Sequence, residues 1–323
     1  MGGHHHHHGG HDHAHGHASG DRGRRALLVA LVLNGVFLVV ELAVGWWSGS
    51  LALLSDGAHM VSDVGALVLA LGAAQLATRR PSTAMTYGLG RAEVLGAFLN
   101  GLLLVAACAW IVFEAIERLL QGAPDVPGEA VLVTGFVGLV INLASAWYLH
   151  RSDDQGLNTR GALLHMLGDA LGSVAAMVSA GFVLVGVPQA DPIASLVVAA
   201  LVAVGAWSLL RDAGTVLLEL PPPGLDVDGV RDALLSLDGV AEVHDLHAWT
   251  LDGRTPIVSA HLVLGQDAAF EGVCGVAHRL LHDRFDIEHA TLQPERGDGC
   301  HTDCGVRSGV PSRLDAGVAA PPA

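Results

Sequence analysis

The chain has 323 residues, 51% of them hydrophobic and 15% charged, with a formal net charge of −15. It is too apolar for a disordered acidic protein and too acidic for a nucleic-acid binder, and its four cysteines make no disulfide framework. All 17 cationic residues are arginine, and residues 1–212 hold 15 Asp/Glu against 10 Arg while residues 213–323 hold 17 against 7. Apolar stretches of about 20 residues, the length that crosses a hydrocarbon layer, fill the first two-thirds. These proportions exclude a soluble enzyme. They describe a polytopic membrane protein with an acidic soluble end.

In chain order the first feature is a histidine tract, with nine of the 19 histidines between His4 and His17. For His4 to His8 an affinity tag and a native tract are both open readings. The continuation through His11, His13, His15 and His17, interleaved with Asp, Gly and Ala, reads as a native metal-collecting tail over residues 1–25. No cleavable signal peptide is evident, because this stretch is rich in His, Gly and Asp.

Hydropathy predicts six spans over residues 26–212, near Ala26–Trp47, Leu51–Ala77, Ala92–Phe113, Glu129–Leu149, Asn158–Val187 and Pro192–Leu210. If these alternate, nine of the ten arginines of residues 1–212 share one side and only Arg118 lies on the other. The positive-inside rule then makes both termini cytoplasmic, in a multi-pass protein of the cell membrane. Pro221-Pro222-Pro223-Gly224 marks a linker. Beyond it the pattern predicts a helix near Val227–Leu237, strands near Val240–Leu251 and Ile257–Leu264, a helix near Ala268–Phe285 and a strand near Ala290–Gln293. This is a small open α/β sandwich, in a domain of residues 213–296, whose size favours pairing with a second copy. Residues 297–323 read as a flexible tail that carries Cys300, His301 and Cys304.

Ionisable groups in mid-membrane cost about 2.5–3.5 kcal/mol each on insertion scales, so each is a functional candidate. Span two carries His59 and Asp63, and span five carries His165 and Asp169, both pairs at i,i+4 and so on one helix face. One such pair alone reads equally well as a buried hydrogen bond. Two at the same depth offer two imidazoles and two carboxylates, a tetrahedral set suited to Zn2+. Gly57, Gly65, Gly161, Gly168 and Gly172 flank the pairs and would permit close helix approach. Asn34, Glu41, Asp56 and Asn100 are read as interhelical hydrogen bonds rather than an aqueous path.

In the soluble domain His244 and His261 fall on adjacent predicted strands and could share one ion. Strict alternation puts His247 on the opposite face from His244, as a core or capping residue.

Several stretches carry a resemblance. They are Leu53 to His59 continuing to Asp63, Tyr87-Gly88-Leu89-Gly90-Arg91-Ala92-Glu93, His165 to Asp169, Val243 to Trp249, and Glu288 to Gln293. Over about residues 20–295 the chain resembles the cation diffusion facilitators, dimeric zinc transporters. The resemblance implies six transmembrane helices plus a C-terminal α+β cytoplasmic domain of βαββ type, like a metallochaperone or ferredoxin. It implies transport at His59, Asp63, His165 and Asp169, with histidine at position 59 associated with zinc preference over cadmium. Glu295 matches a family ligand position beside His244 and His261. Cys300, His301 and Cys304 match the tail cysteines that complete a zinc site in some relatives. Arg91 and Glu219 match a charge interlock at the family's dimer interface. The loop Arg79 to Thr86 lacks the His and Asp of the family's second membrane-side site, so that site is expected to be missing.

Zinc needs neutral imidazole and ionised carboxylate, so proton binding and zinc binding oppose one another. A midplane site reached alternately from each side would therefore exchange zinc for protons. The expectation is a Zn2+/H+ antiporter, active as a homodimer in the lipid bilayer, with Co2+, Cd2+ and Ni2+ as alternative substrates and no nucleic-acid partner. The other reading is a zinc-gated channel or sensor without proton coupling. A metalloprotease would need a motif such as HExxH, and none is present.

Overall fold

The computed structural model describes residues 15–48, 51–121, 128–152, 154, 156–184, 187, 189–266 and 272–296. The N-terminal region contains helices α1 (His15–Ser48), α2 (Leu51–Ala77), α3 (Arg91–Gln121), α4 (Gly128–His150), α5 (Leu157–Leu184) and α6 (Ala190–Leu217). Among the described residues five of these are long and apolar enough to cross a membrane, while the apolar stretch of α4, Gly135–His150, is shorter.

Helix ends depart from hydropathy where polar side chains support another turn. Helix α3 runs past Phe113 because Glu114 pairs with Arg118 and Gln121 donates to Glu117 at 3.3 Å, each one turn apart. Helix α6 runs past Leu210, with Asp212 held by Arg160 of α5 at 2.5 Å. Helix α1 starts inside the histidine tract, at His15.

The helical interior is built from small residues. Ala26, Leu27 and Ala30 of α1 meet Leu67, Ala70 and Ala74 of α2, Ala146 and Leu149 of α4, and Ala162 and Met166 of α5. Large apolar side chains such as Val39, Trp110, Phe136, Val204 and Trp207 face outward. That distribution suits a lipid solvent, in which close helix approach rather than water exclusion drives packing. Gly161 and Gly168 do bring α5 close to its neighbours, but those are α3 and α6: a Cβ at these positions would meet Asn100 and Leu209, or Val202, at 3.1–3.2 Å. Among the described residues Gly65 and Gly172 have nothing within 4 Å, so no close α2–α5 contact is seen at either.

The C-terminal domain contains α7 (Val227–Leu235), β1 (Val240–Thr250), β2 (Pro256–Leu264), α8 (Val273–Phe285) and β3 (His289–Arg296). Its order is therefore αββαβ rather than βαββ: the chain enters through α7, then makes a hairpin, then crosses over through α8. The sheet order is β1-β2-β3, antiparallel between the first two strands and parallel between the last two. One face buries Val243, Leu246, Ala248, Val258, Ala260 and Leu262 under Val230 and Leu234 of α7 and Ala277 and Leu281 of α8. The other face carries the histidines. The two regions meet where Arg254, in the β1–β2 turn, pairs with Asp154 just before α5. Asp154 also accepts from the Gly156 N–H at 3.1 Å and the Thr159 hydroxyl at 2.7 Å.

Candidate metal centre

Helix periodicity fixes the first cluster. His165 and Asp169 are one turn apart on α5 and face Asp63 of α2. The His165 Nε2 atom lies 3.2 Å from Asp63 Oδ1 and 3.7 Å from Asp169 Oδ2. One ligand atom from each of the three residues falls within 4.8 Å of the others. Both ring nitrogens of His165 and Asp169 Oδ2 are buried without a well-formed hydrogen bond among the described residues. Buried polar atoms are normally satisfied, so donors converging in this way suit a shared cation. His59 lies one turn before Asp63 on α2; its side chain falls outside the described residues.

Register between α2 and α5 comes from a residue that hydropathy did not single out. Asn158 donates to the Ala70 carbonyl at 2.7 Å, joining the two helices away from the carboxylates. On the far side of α5, Asn34 of α1 donates to the Ser145 hydroxyl of α4 at 3.1 Å and approaches the Met166 sulfur at 3.7 Å. That agrees with an interhelical role for Asn34. Asn100 differs: it is buried, and neither amide atom has a partner among the described residues.

The second cluster sits on the open face of the sheet. His244 and His261 are direct cross-strand partners, with ring centroids 5.0 Å apart. Glu295 of β3 is 9% exposed; it contacts His244 Nε2, and its Oε2 lies 3.5 Å from His261 Nδ1. Asp245, which the sequence pattern did not flag, adds a carboxylate 3.9 Å from His244 Nδ1. Asp245 reaches this position because β1 contains a bulge. His244 pairs with His261 but His247 pairs with Ser259, three positions on one strand against two on the other, with φ of 47° at Asp245. The extra residue overturns strict alternation. His247 is on the same face as His244, not the core face, and lines a pocket with Asp245, Ser259 and His261. The signal was readable: the buried positions Val243, Leu246 and Ala248 are spaced by three and then by two.

Arg91, at the start of α3, pairs with Glu219, just after α6, at 2.7 Å within one chain, and both are partly exposed. Cys300, His301 and Cys304, and the histidines from His4 to His13, lie outside the described residues.

Residues 27–218 match the model of the cation efflux transmembrane domain, and residues 222–297 match that of the cation efflux protein cytoplasmic domain. The chain is 38% identical to the zinc transporter ZitB of Escherichia coli (strain K12) over 304 residues, covering 93% of this chain and 96% of the relative. It is 33% identical to the cadmium, cobalt and zinc/H(+)-K(+) antiporter of Bacillus subtilis (strain 168) over 88% of this chain and 92% of that protein. The proton-coupled zinc antiporter SLC30A2 of Mus musculus is also 33% identical, over 85% of this chain and 78% of its own length. With apolar helices of membrane-spanning length, a small cytoplasmic sheet domain and matches across nearly its full length, the chain belongs to the cation diffusion facilitator family of membrane transporters.

Proposed function

We propose that this chain exports zinc from the cytoplasm in exchange for protons, by alternating access at a site made of His59, Asp63, His165 and Asp169. The observation that carries the reading is the convergence of Asp63, His165 and Asp169, with ligand atoms within 4.8 Å of one another across two helices. A nitrogen and carboxylate donor set of this kind suits a borderline-soft divalent ion. Zinc is the cargo printed in the name of the Escherichia coli relative, and proton coupling is printed in the name of the mouse relative. Co2+, Cd2+ and Ni2+ are alternative substrates on the same donor chemistry.

In this reading six helices span the bilayer, α4 included, and both termini are cytoplasmic. Loaded from the cytoplasm, the site holds zinc between ionised carboxylates and neutral imidazoles. Opened outward, it takes up protons on those groups, and each proton weakens the hold on the ion. His244, His261 and Glu295 form a second, regulatory zinc site, joined by Asp245. Zinc there offsets part of the acidic charge of residues 213–323 and brings two protomers together. Cys300, His301 and Cys304 complete ligation at the tail.

Zinc flux into proteoliposomes under an imposed pH gradient tests the reading. Flux that follows the size and sign of the gradient is expected. Saturable zinc flux indifferent to the gradient would replace the antiporter with a channel, and no zinc flux at all would remove the transport assignment.

A further inference from the structure

A pocket of about 400 Å3 lies where the end of α4 meets the start of α1, away from both metal clusters. Arg22, Arg25, Trp147, Tyr148 and Arg151 line it, and no carboxylate does among the described residues. Arg22 and Arg25 are three positions apart on α1 and share a helix face. The α1 and α4 ends are held together by Ala26, Leu27 and Ala30 against Ala146 and Leu149, so the arginines of both helices converge as a fixed set.

The guanidinium of Arg151 stacks on Trp147, 4.9 Å from the ring centroid. Stacking fixes its plane and leaves its N–H edge free to donate to a planar or tetrahedral anion. Arg24 provides a contrast on the same helix: it is engaged by Asp21 and Gln75 at 3.1 Å each. Neither Arg25 nor Arg151 forms an ion pair among the described residues. Trp147 and Tyr148 are 56% and 46% exposed at the last turns of an apolar helix, the position of an interfacial aromatic belt.

We propose that this pocket binds the phosphate of an anionic phospholipid in the leaflet next to the C-terminal domain. Arg25 and Arg151 are the principal donors, Arg22 adds positive charge, and Trp147 and Tyr148 flank the glycerol and upper acyl region. The shared chemistry is a phosphodiester held by convergent guanidinium forks. Lipid is favoured over free phosphate because half-exposed aromatic side chains border the arginines, giving the pocket an amphipathic wall that an inorganic ion would not use.

The full-length protein in mild detergent is titrated with phosphatidylglycerol, with phosphatidylcholine of the same acyl chains, and with inorganic phosphate, and adducts are counted by native mass spectrometry. The wild-type chain is expected to bind phosphatidylglycerol about tenfold more tightly than phosphatidylcholine, the size of one or two charge-assisted hydrogen bonds. The R25Q/R151Q double variant should lose that preference, while R79Q/R80Q, which removes the same charge from the exposed loop after α2, should keep it. Equal loss in both variants would show a general surface-charge effect and overturn the site. Equal affinity of the wild-type chain for the two lipids would overturn it without any variant. Displacement of the lipid by equimolar inorganic phosphate would move the site from a lipid to a free anion and overturn the lipid assignment.

Discussion

Asn158 and Ala70 tie α5 to α2 through a single 2.7 Å hydrogen bond from the Asn158 amide to the Ala70 carbonyl. Asn158 lies seven positions before His165, and Ala70 lies seven positions after Asp63. Seven positions make about two helical turns, so on each helix of this antiparallel pair the bond lies the same distance along the axis from the His165–Asp63 contact. The Asn158 side chain thus sets which residues of the two helices face one another. Asn158→Ala should lower the thermal midpoint by the equivalent of about 1 kcal/mol. Zinc flux should fall further than that stability loss accounts for, because the ligand sets slip out of register. Flux and melting measured on the same preparation check the pair of effects.

Asp169→Asn keeps the shape of the side chain and removes its charge. Zinc affinity at the membrane site should fall by about a hundredfold or more, since outer-shell changes alone cost 10–100-fold. In melting experiments the stabilisation that zinc gives the full chain, about 2.7 kcal/mol at a hundredfold excess over Kd, should shrink in parallel. Retained high-affinity zinc binding by this variant, with the sheet site also removed, would exclude Asp169 as a ligand.

On the sheet, His261→Ala leaves Glu295 beside a single imidazole. One zinc per chain should be lost from the binding stoichiometry, while flux at saturating zinc stays near the wild-type rate. The concentration at which flux rises should move upward. Equilibrium dialysis and a flux titration together distinguish this from damage to the membrane site.

The Arg91–Glu219 pair is partly exposed on both sides, so within one chain it contributes at most about 1 kcal/mol. Arg91→Glu should barely move the melting transition. If the pair also locks two protomers, the same change shifts the monomer–dimer balance, and R91E/E219R restores it. Sedimentation at several protein concentrations reads this directly.

Removing Arg254 leaves Asp154, whose side chain is 5% exposed, without its cationic partner but with its bonds from Gly156 and Thr159. Arg254→Ala should therefore cost about 1–3 kcal/mol. Trypsin access at the junction of the two regions should increase.

Much of the arrangement could be read from residue order, for reasons that differ by element. Helix α2 is bounded at Leu51 and Ala77, as hydropathy predicts, because polar residues flank it on both sides. That His165 and Asp169 share a face of α5 was legible because a helix repeats every 3.6 residues whatever surrounds it. Hydropathy could not place the end of α3, where Glu114 and Arg118 extend the helix by pairing rather than by burial. The face of His247 was misassigned because one inserted residue inverts every later position on a strand. Asn158 was missed because its importance lies in a carbonyl 88 positions away, and main-chain acceptors leave no trace in composition.

The Arg254–Asp154 contact has a mechanical consequence. The turn that holds Arg254 joins the two strands bearing His244 and His261, and Asp154 is bonded to the first turn of the helix bearing His165 and Asp169. The hairpin is therefore a crank fastened to the base of α5. A rotation of the sheet that kept this fastening would pull on α5 at its first turn, about two turns below His165, so the contact joins the strands of one histidine cluster to the helix of the other.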